Sequence, residues 1–316
     1  MNLRLLFLLV GFLAGLAPVQ AQSSVWKITK GAKVLYLGGT CHVLRPADFP
    51  LPPEYDVAYA ASTEVVFETD LGHAQSAGTQ LTLATKGMFT DGTTLQKVLT
   101  PEAWKASEAW CATAGLPIEA VSNLKPWFFT VMIEALELQK RGVSEQGVDL
   151  HFYQLAAADK KKTGELETLE TQIDLMTGLG AGHESELVTS SLEDLDKLPK
   201  VLNDMIAAWR GGDLAKLDEL MNRDIRDKFP VIYHDLILQR NQTWEPKIEA
   251  MLQTPEPVLV LVGAGHLPGP DGLLTQLGKH GCTVEQIKAP AVKKAGAPNP
   301  PPPPAPVQPG AGVLNR

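Results

Sequence analysis

The sequence predicts an α/β fold: a mixed, mainly parallel sheet built from both chain ends, with a large helical middle section. Three observations point to it. Short apolar runs of strand type stand near both ends, at Lys33–Leu37, Glu64–Phe67 and Pro257–Val262. The residues between them follow helical spacing for most of their length. The run Pro257–Val262 (PVLVLV) is apolar at nearly every position, as a strand covered on both faces requires. Strands at the ends with helices between them place the ends in one sheet and make the helices an insertion or cap.

The elements follow in order. Val25–Ile28 pairs with Lys33–Leu37 as a hairpin around Lys30-Gly31, and Gly38-Gly39 closes the second strand. Pro53–Ala61 reads as a helix and Glu64–Phe67 (EVVF) as a strand ending at Glu68. Thr100 caps a helix with Pro101 in its first position, and Gly115 ends it. Helices follow at 126–141, 147–158, 169–178, 184–210 and 213–221. From Phe229 to Leu252, Ile232, Leu236, Leu238, Ile248 and Leu252 keep helical spacing, with Pro246 able to kink the helix. A helix over Gly272–His280 and a strand over Thr283–Ile287 complete the order.

The chain ends are different in kind. Arg4, an apolar run to Leu16 and small residues up to Ala21 have the parts of a secretory signal, so residues 1–21 are expected to be cleaved. That run is about 12 residues, short of the roughly 20 that a spanning helix needs, so no stable membrane span is expected after cleavage. Export, to a bacterial periplasm, follows. Residues 290–316 are Pro, Ala and Gly in the main, including Pro300–Pro304, and read as a disordered or polyproline II tail. The folded part is therefore 22–289.

Composition excludes several classes. Of 316 residues, 44% are hydrophobic and 20% charged, which suits a folded chain. A net charge of −8 without a basic stripe argues against nucleic acid as a partner. Three cysteines, Cys41, Cys111 and Cys282, make no disulfide framework and contain no C-x-x-C pair. Whether any two of them join is not decided by spacing. H-E-x-x-H, G-x-S-x-G and Walker A motifs do not occur.

Two segments share a local grammar: an apolar strand, a glycine, two residues and a histidine. They are Gly39-Thr40-Cys41-His42 and Gly263-Ala264-Gly265-His266. In α/β sheets ligands bind in the crevice beyond the strand carboxyl ends, and glycine there lets the chain turn sharply. Glu68 stands at the end of a third strand. If the three ends are neighbours, His42, His266 and Glu68 converge. Two imidazoles and a carboxylate are a competent divalent-metal set (Zn, Mn or Co), whose bound water can attack a carbonyl. The plainer reading of each histidine, a hydrogen-bonded turn cap, has equal weight on spacing alone. The same glycines also resemble a dinucleotide fingerprint, with Glu285 at a suitable distance. Pro268 and Pro270 interrupt the helix start that such a site needs, which argues against it.

At these residues the chain resembles the TraB/GumN family of bacterial exported proteins. The resemblance rests on Lys33–Leu71, on Gly147–Phe152 (GVDLHF), on Leu166–Gln172 (LETLETQ), on Gln239–Trp244 (QRNQTW) and on Leu261–Leu274 (LVGAGHLPGPDGLL). It is also similar, more distantly, to the Tiki metalloproteases and the erythromycin-esterase/ChaN-like fold. The resemblance implies a peptidase-like, metal-dependent hydrolase site. In it, His42, His266 and Glu68 hold the metal, and Glu68 and Arg240 are catalytic. The substrate is then a peptide or small carbonyl compound. A second class stays open: a non-catalytic protein that sequesters a peptide, as pheromone-shutdown members of the family suggest, or serves envelope-polysaccharide machinery.

Arg240 lies on a long helix. It suits a substrate carboxylate or an oxyanion, and equally an ion pair with Glu68 or Asp70. Glu167 suits a partner that orients a histidine, and at least as well a buried hydrogen-bonding role. Asp149 suits a helix cap better than a ligand. Asn241 and Trp244 read as braces between helix and sheet. Cys41 neighbours His42, yet adjacent residues on an extended chain point in opposite directions.

Overall fold

Gly31 takes a left-handed conformation (φ 63°) and turns the chain between β1 (Gln22–Lys30) and β2 (Lys33–Thr40). The two strands pair antiparallel, with Val25 opposite Gly38. In the computed structural model, which describes residues 22–144 and 146–288, these strands join four others. They are β3 (Glu64–Phe67), β4 (Lys162–Glu165), β5 (Val258–Gly263) and β6 (Thr283–Lys288). The sheet order is β4-β3-β5-β2-β1-β6. Pairing is parallel from β4 through β3 and β5 to β2, and antiparallel at β1 and β6. The fold is the predicted α/β class with a mixed, mainly parallel sheet. The expected signal peptide and proline-rich tail lie outside the described residues.

Besides the helix Ala77–Lys86, the helices that matter below are α1 (Pro53–Ala61), α2 (Pro101–Ala114), α3 (Pro126–Lys140), α4 (Val148–Asp159), α5 (Leu169–Gly178), α6 (Glu184–Glu193), α7 (Leu198–Gly211), α8 (Gln239–Met251) and α9 (Leu273–Lys279). As expected, Thr100 caps α2 through the Ala103 amide, and Gly115 closes it at φ 71°. Three expectations shift. β2 runs through its glycines to Thr40, because the parallel partner β5 continues to pair them. The single helix expected at 184–210 is two, α6 and α7, separated by a turn at 194–197. The long stretch after Phe229 contains a π-helical segment, His234–Leu238, directly before α8.

Alternation along the strands builds a core on each face of the sheet. From β5, Leu259 and Leu261 pack on one side with Tyr55, Phe152 and Trp209 of α1, α4 and α7. Val258, Val260 and Val262 pack on the other with Trp244 and Ile248 of α8 and Leu273 and Leu277 of α9. Each such fully buried side chain contributes roughly 1.5–3 kcal/mol relative to exposure. The helical middle keeps its own core, with Trp110, Phe129, Ile133 and Val188 from α2, α3 and α6. Among the described residues no helix is long and apolar enough to cross a membrane. Cys41, Cys111 and Cys282 are free thiols, each buried in a different core.

Candidate functional site

The strand order decides the site. β5 lies between β3 and β2, so their three carboxyl ends are neighbours. His42 follows β2, Glu68 follows β3, and His266 ends the short 3-10 turn Ala264–His266 after β5. A Cβ placed on Gly263 would stand 3.2 Å from Glu68 Oε1, 3.3 Å from His42 Nε2 and 3.7 Å from His266 Cδ2. The three residues expected to converge therefore do so, around a glycine that keeps the space clear.

Arg240 of α8 joins them from the helical side. Its Nη2 donates to Glu68 Oε2 at 2.6 Å and to Glu167 Oε1 at 2.8 Å. Its Nε donates to Glu167, and its Nη1 to the Leu236 carbonyl and to His266 Nε2 at 3.0 Å. A guanidinium has five N–H donors, and these contacts use them all. The guanidinium also lies over the Trp244 ring, 4.4 Å from its centre. Of the two readings for Arg240, the ion pair with Glu68 is present. Asp70 takes no part in it and instead caps a short turn through the His73 amide.

The protonation states follow from the hydrogen bonds. Asn241 Nδ2 donates to the carbonyls of His266 and Asp271, so its Oδ1 faces His266 Nδ1 as an acceptor at 2.7 Å. His266 therefore carries its proton on Nδ1 and offers the Nε2 lone pair to Arg240. Burial, helped by the charges of Arg240 and His42, pushes its pKa down to about 3, so it is neutral. Burial works against ionisation of Glu68. The neighbouring His266, Arg240 and His42 and the Gly263 amide outweigh it and hold the pKa at about 2. Burial likewise opposes the Arg240 charge, and the carboxylates of Glu68 and Glu167 raise its pKa above the ordinary value.

His42 is the open member. Its side chain is 60% exposed, against 5% for His266. Its Nδ1 meets Asp149 Oδ2 at 2.8 Å, and Nε2 has no hydrogen-bond partner among the described residues. The Asp149 carboxylate beside it pushes the pKa of His42 up to about 9. Asp149 stands in the first turn of α4, where helix N-termini favour a carboxylate. Its role is to hold His42, and Gly147 is the N-cap of α4. Of the two readings for Glu167, the buried hydrogen-bonding role is present: it binds Arg240 and Trp244 Nε1. Burial raises the Cys41 pKa, which keeps its thiol inert.

A crevice of about 260 Å³ opens on His42 and Glu68. Phe67, Leu71 and Leu150 give it an apolar wall, and Thr69, Asp149 and Gln172 a polar one. Gln172 Nε2 donates to Glu68 Oε2 at 3.2 Å. Sequence reading missed Gln172 and Thr69. Thr69 follows Glu68 at a strand end, and Gln172 closes the Leu166–Gln172 segment that carries the resemblance; these were the signals for them.

The donor set does not fit a divalent ion as it stands. Glu68 Oε1 and His42 Nε2 face the space before Gly263, but the third expected ligand atom, His266 Nε2, is already bound to Arg240 Nη1. That guanidinium also holds the other oxygen of Glu68, and its charge repels a dication. Among the described residues no three His, Cys, Asp or Glu side chains form a metal-binding group.

No curated protein and no solved structure matches the chain significantly. The model of the TraB/PrgY/gumN family matches residues 24–286, which include every strand end and helix that builds this site. The chain belongs to the TraB/PrgY/gumN family.

Proposed function

We propose that the crevice hydrolyses a carbonyl substrate, a peptide or smaller compound, with His42 as the base that activates water. One observation carries this reading: His42 keeps Nδ1 on Asp149 and leaves Nε2 open to the crevice. An imidazole oriented by a carboxylate, with its second nitrogen free, is suited to general-base chemistry.

Glu68 Oε1 and His42 Nε2 flank Gly263, 3.2 and 3.3 Å from the place a Cβ there would take, and in this reading a water sits between the two. A water seated there gives one proton to His42 as its oxygen attacks the carbonyl carbon, while Glu68 accepts from the other hydrogen. Asp149 stabilises the imidazolium that forms. His42 then returns the proton to the leaving group as the tetrahedral intermediate collapses. With its pKa near 2, Glu68 is too weak a base for the first step and serves to orient the water. Arg240 has no donor left for the substrate, so it acts through its charge. In this reading the leader over residues 1–21 is removed and the chemistry takes place in the periplasm.

The test uses purified chain, ester substrates and a quenched peptide library, with and without a chelator. Turnover that survives chelation and disappears in His42→Ala supports the proposal. Turnover abolished by chelation and restored by Zn²⁺, Mn²⁺ or Co²⁺ establishes the metal-dependent hydrolase instead. Saturable peptide binding without cleavage establishes a sequestering protein. N-terminal sequencing of exported chain checks cleavage after Ala21.

A further inference from the structure

We propose that the Arg240 guanidinium is the resident cation of this site, standing where a divalent ion would bridge His266 and Glu68, and that it keeps metal ions out. The inference holds whether the crevice hydrolyses its ligand or only binds it.

The argument starts from the donors. His266 Nε2 and Glu68 Oε2 are the two atoms that an ion on this side of the crevice would take. Both are held by one guanidinium, at 3.0 and 2.6 Å. That guanidinium is not a loose visitor. Glu167 binds it through two nitrogens, the Leu236 carbonyl takes a third contact, and the Trp244 ring covers its face. Trp244 in turn donates to Glu167 Oε2, so the carboxylate that anchors the cation is itself anchored. An incoming ion must displace a buried, fully hydrogen-bonded charge.

Everything else about the donors suits a metal. Each imidazole has its Nδ1 oriented by an acceptor, Asp149 for His42 and Asn241 for His266, as metal-binding histidines do. His42 Nε2 and Glu68 Oε1 flank Gly263, and His266 Nε2 lies 3.8 Å from that same Glu68 oxygen. Two carboxylates, Glu68 and Glu167, stand beside it. Without Arg240, these residues form a set with borderline-soft nitrogen and hard oxygen donors, which Co²⁺ and Zn²⁺ accept. The residues of a metal centre are thus present, with an arginine in the position of the ion.

Co²⁺ is the probe, followed by its visible d–d absorption and by equilibrium dialysis. Wild-type chain is expected to show no band and no stoichiometric uptake. Arg240→Ala is expected to take up about one equivalent and show the band, which Arg240→Ala/His266→Ala then loses. Arg240→Gln, which keeps an amide facing Glu167, replaces Arg240→Ala if that variant does not fold. Stoichiometric Co²⁺ uptake by wild-type chain that is lost in His266→Ala overturns the proposal. So does a folded Arg240 variant that gains no Co²⁺. No step depends on turnover, so this result and the failure of the hydrolase reading are separable.

Discussion

The backbone of Gly147 lies against the carbonyl group of His42 so closely that any Cβ would overlap it. The same approach lets the Val148 amide donate to the Cys41 carbonyl at 3.0 Å. This contact seats the N-terminus of α4 on the histidine turn and delivers Asp149 to His42.

Gly147→Ala is therefore expected to push α4 away from His42. The overlap costs about 1–3 kcal/mol of stability, the usual range for overpacking. Activity falls further than stability, because the Asp149–His42 hydrogen bond is lost. Urea denaturation and steady-state kinetics on the same preparation separate the two effects.

His42→Ala and Asp149→Asn are each expected to lower kcat by about 10²–10⁴-fold, the typical contribution of a positioned base. Comparable losses in the two variants identify the pair as one unit. A variant with unchanged kcat removes that residue from the mechanism.

The pH dependence follows from the raised pKa of His42, about 9 against an ordinary 6.5. The base form accumulates as pH rises through the folded value, so kcat/KM climbs toward about 9 and then levels. Asp149→Asn moves this limb down toward the ordinary imidazole value. Stability runs the opposite way. The stabilisation from the His42–Asp149 pair is fully present below 6.5 and is lost as pH rises through about 9. pH–rate profiles and thermal melts of wild type and Asp149→Asn check both signs.

Glu68 gives the complementary acid limb. Its pKa of about 2 lies below the ordinary 4.5, so its stabilisation is present above 4.5 and lost as pH falls toward 2. Glu68→Gln leaves Arg240 paired with Glu167 alone. A loss of about 1.5–3 kcal/mol at neutral pH is expected, as for hydrogen bonds to charged groups. The difference from wild type shrinks on acidification. Urea titrations across that range measure it.

His266 is expected to stay neutral with its proton on Nδ1 throughout the range where the chain is folded. Nitrogen-15 correlation spectra assign the protonated nitrogen directly. In Asn241→Leu the acceptor for that proton is gone, and a mixture of tautomers is expected.

The sheet was legible where local chemistry and burial agree. The apolar runs of β5 and β3 marked themselves as strands, and Pro53 and Pro101 marked helix starts. The convergence of His42, His266 and Glu68 was legible from one topological premise, that strand ends cluster. β4 was not: Lys162-Thr163-Gly164-Glu165 is polar and mostly exposed at the sheet edge, so it lacks the apolar alternation that signals a strand. The π-helical segment before Arg240 was hidden because its residues keep a helical apolar pattern. Asp149 looked like a cap because its true partner lies over a hundred positions away. Arg240 was seen as a partner of Glu68, but the second carboxylate, Glu167, reaches it only through the packing of α8 on the sheet.

The insertion of β5 between β3 and β2 has a consequence for how the chain is made. A ribosome delivers β2 and β3 long before the strand that separates them. Until β5 emerges, two apolar strand edges wait unpaired, and such edges recruit other chains. The grouping of His42, Glu68 and His266 is therefore all-or-none with respect to synthesis. A product truncated before Val258 lacks both the strand that joins the two halves of the site and His266, and is expected to clump.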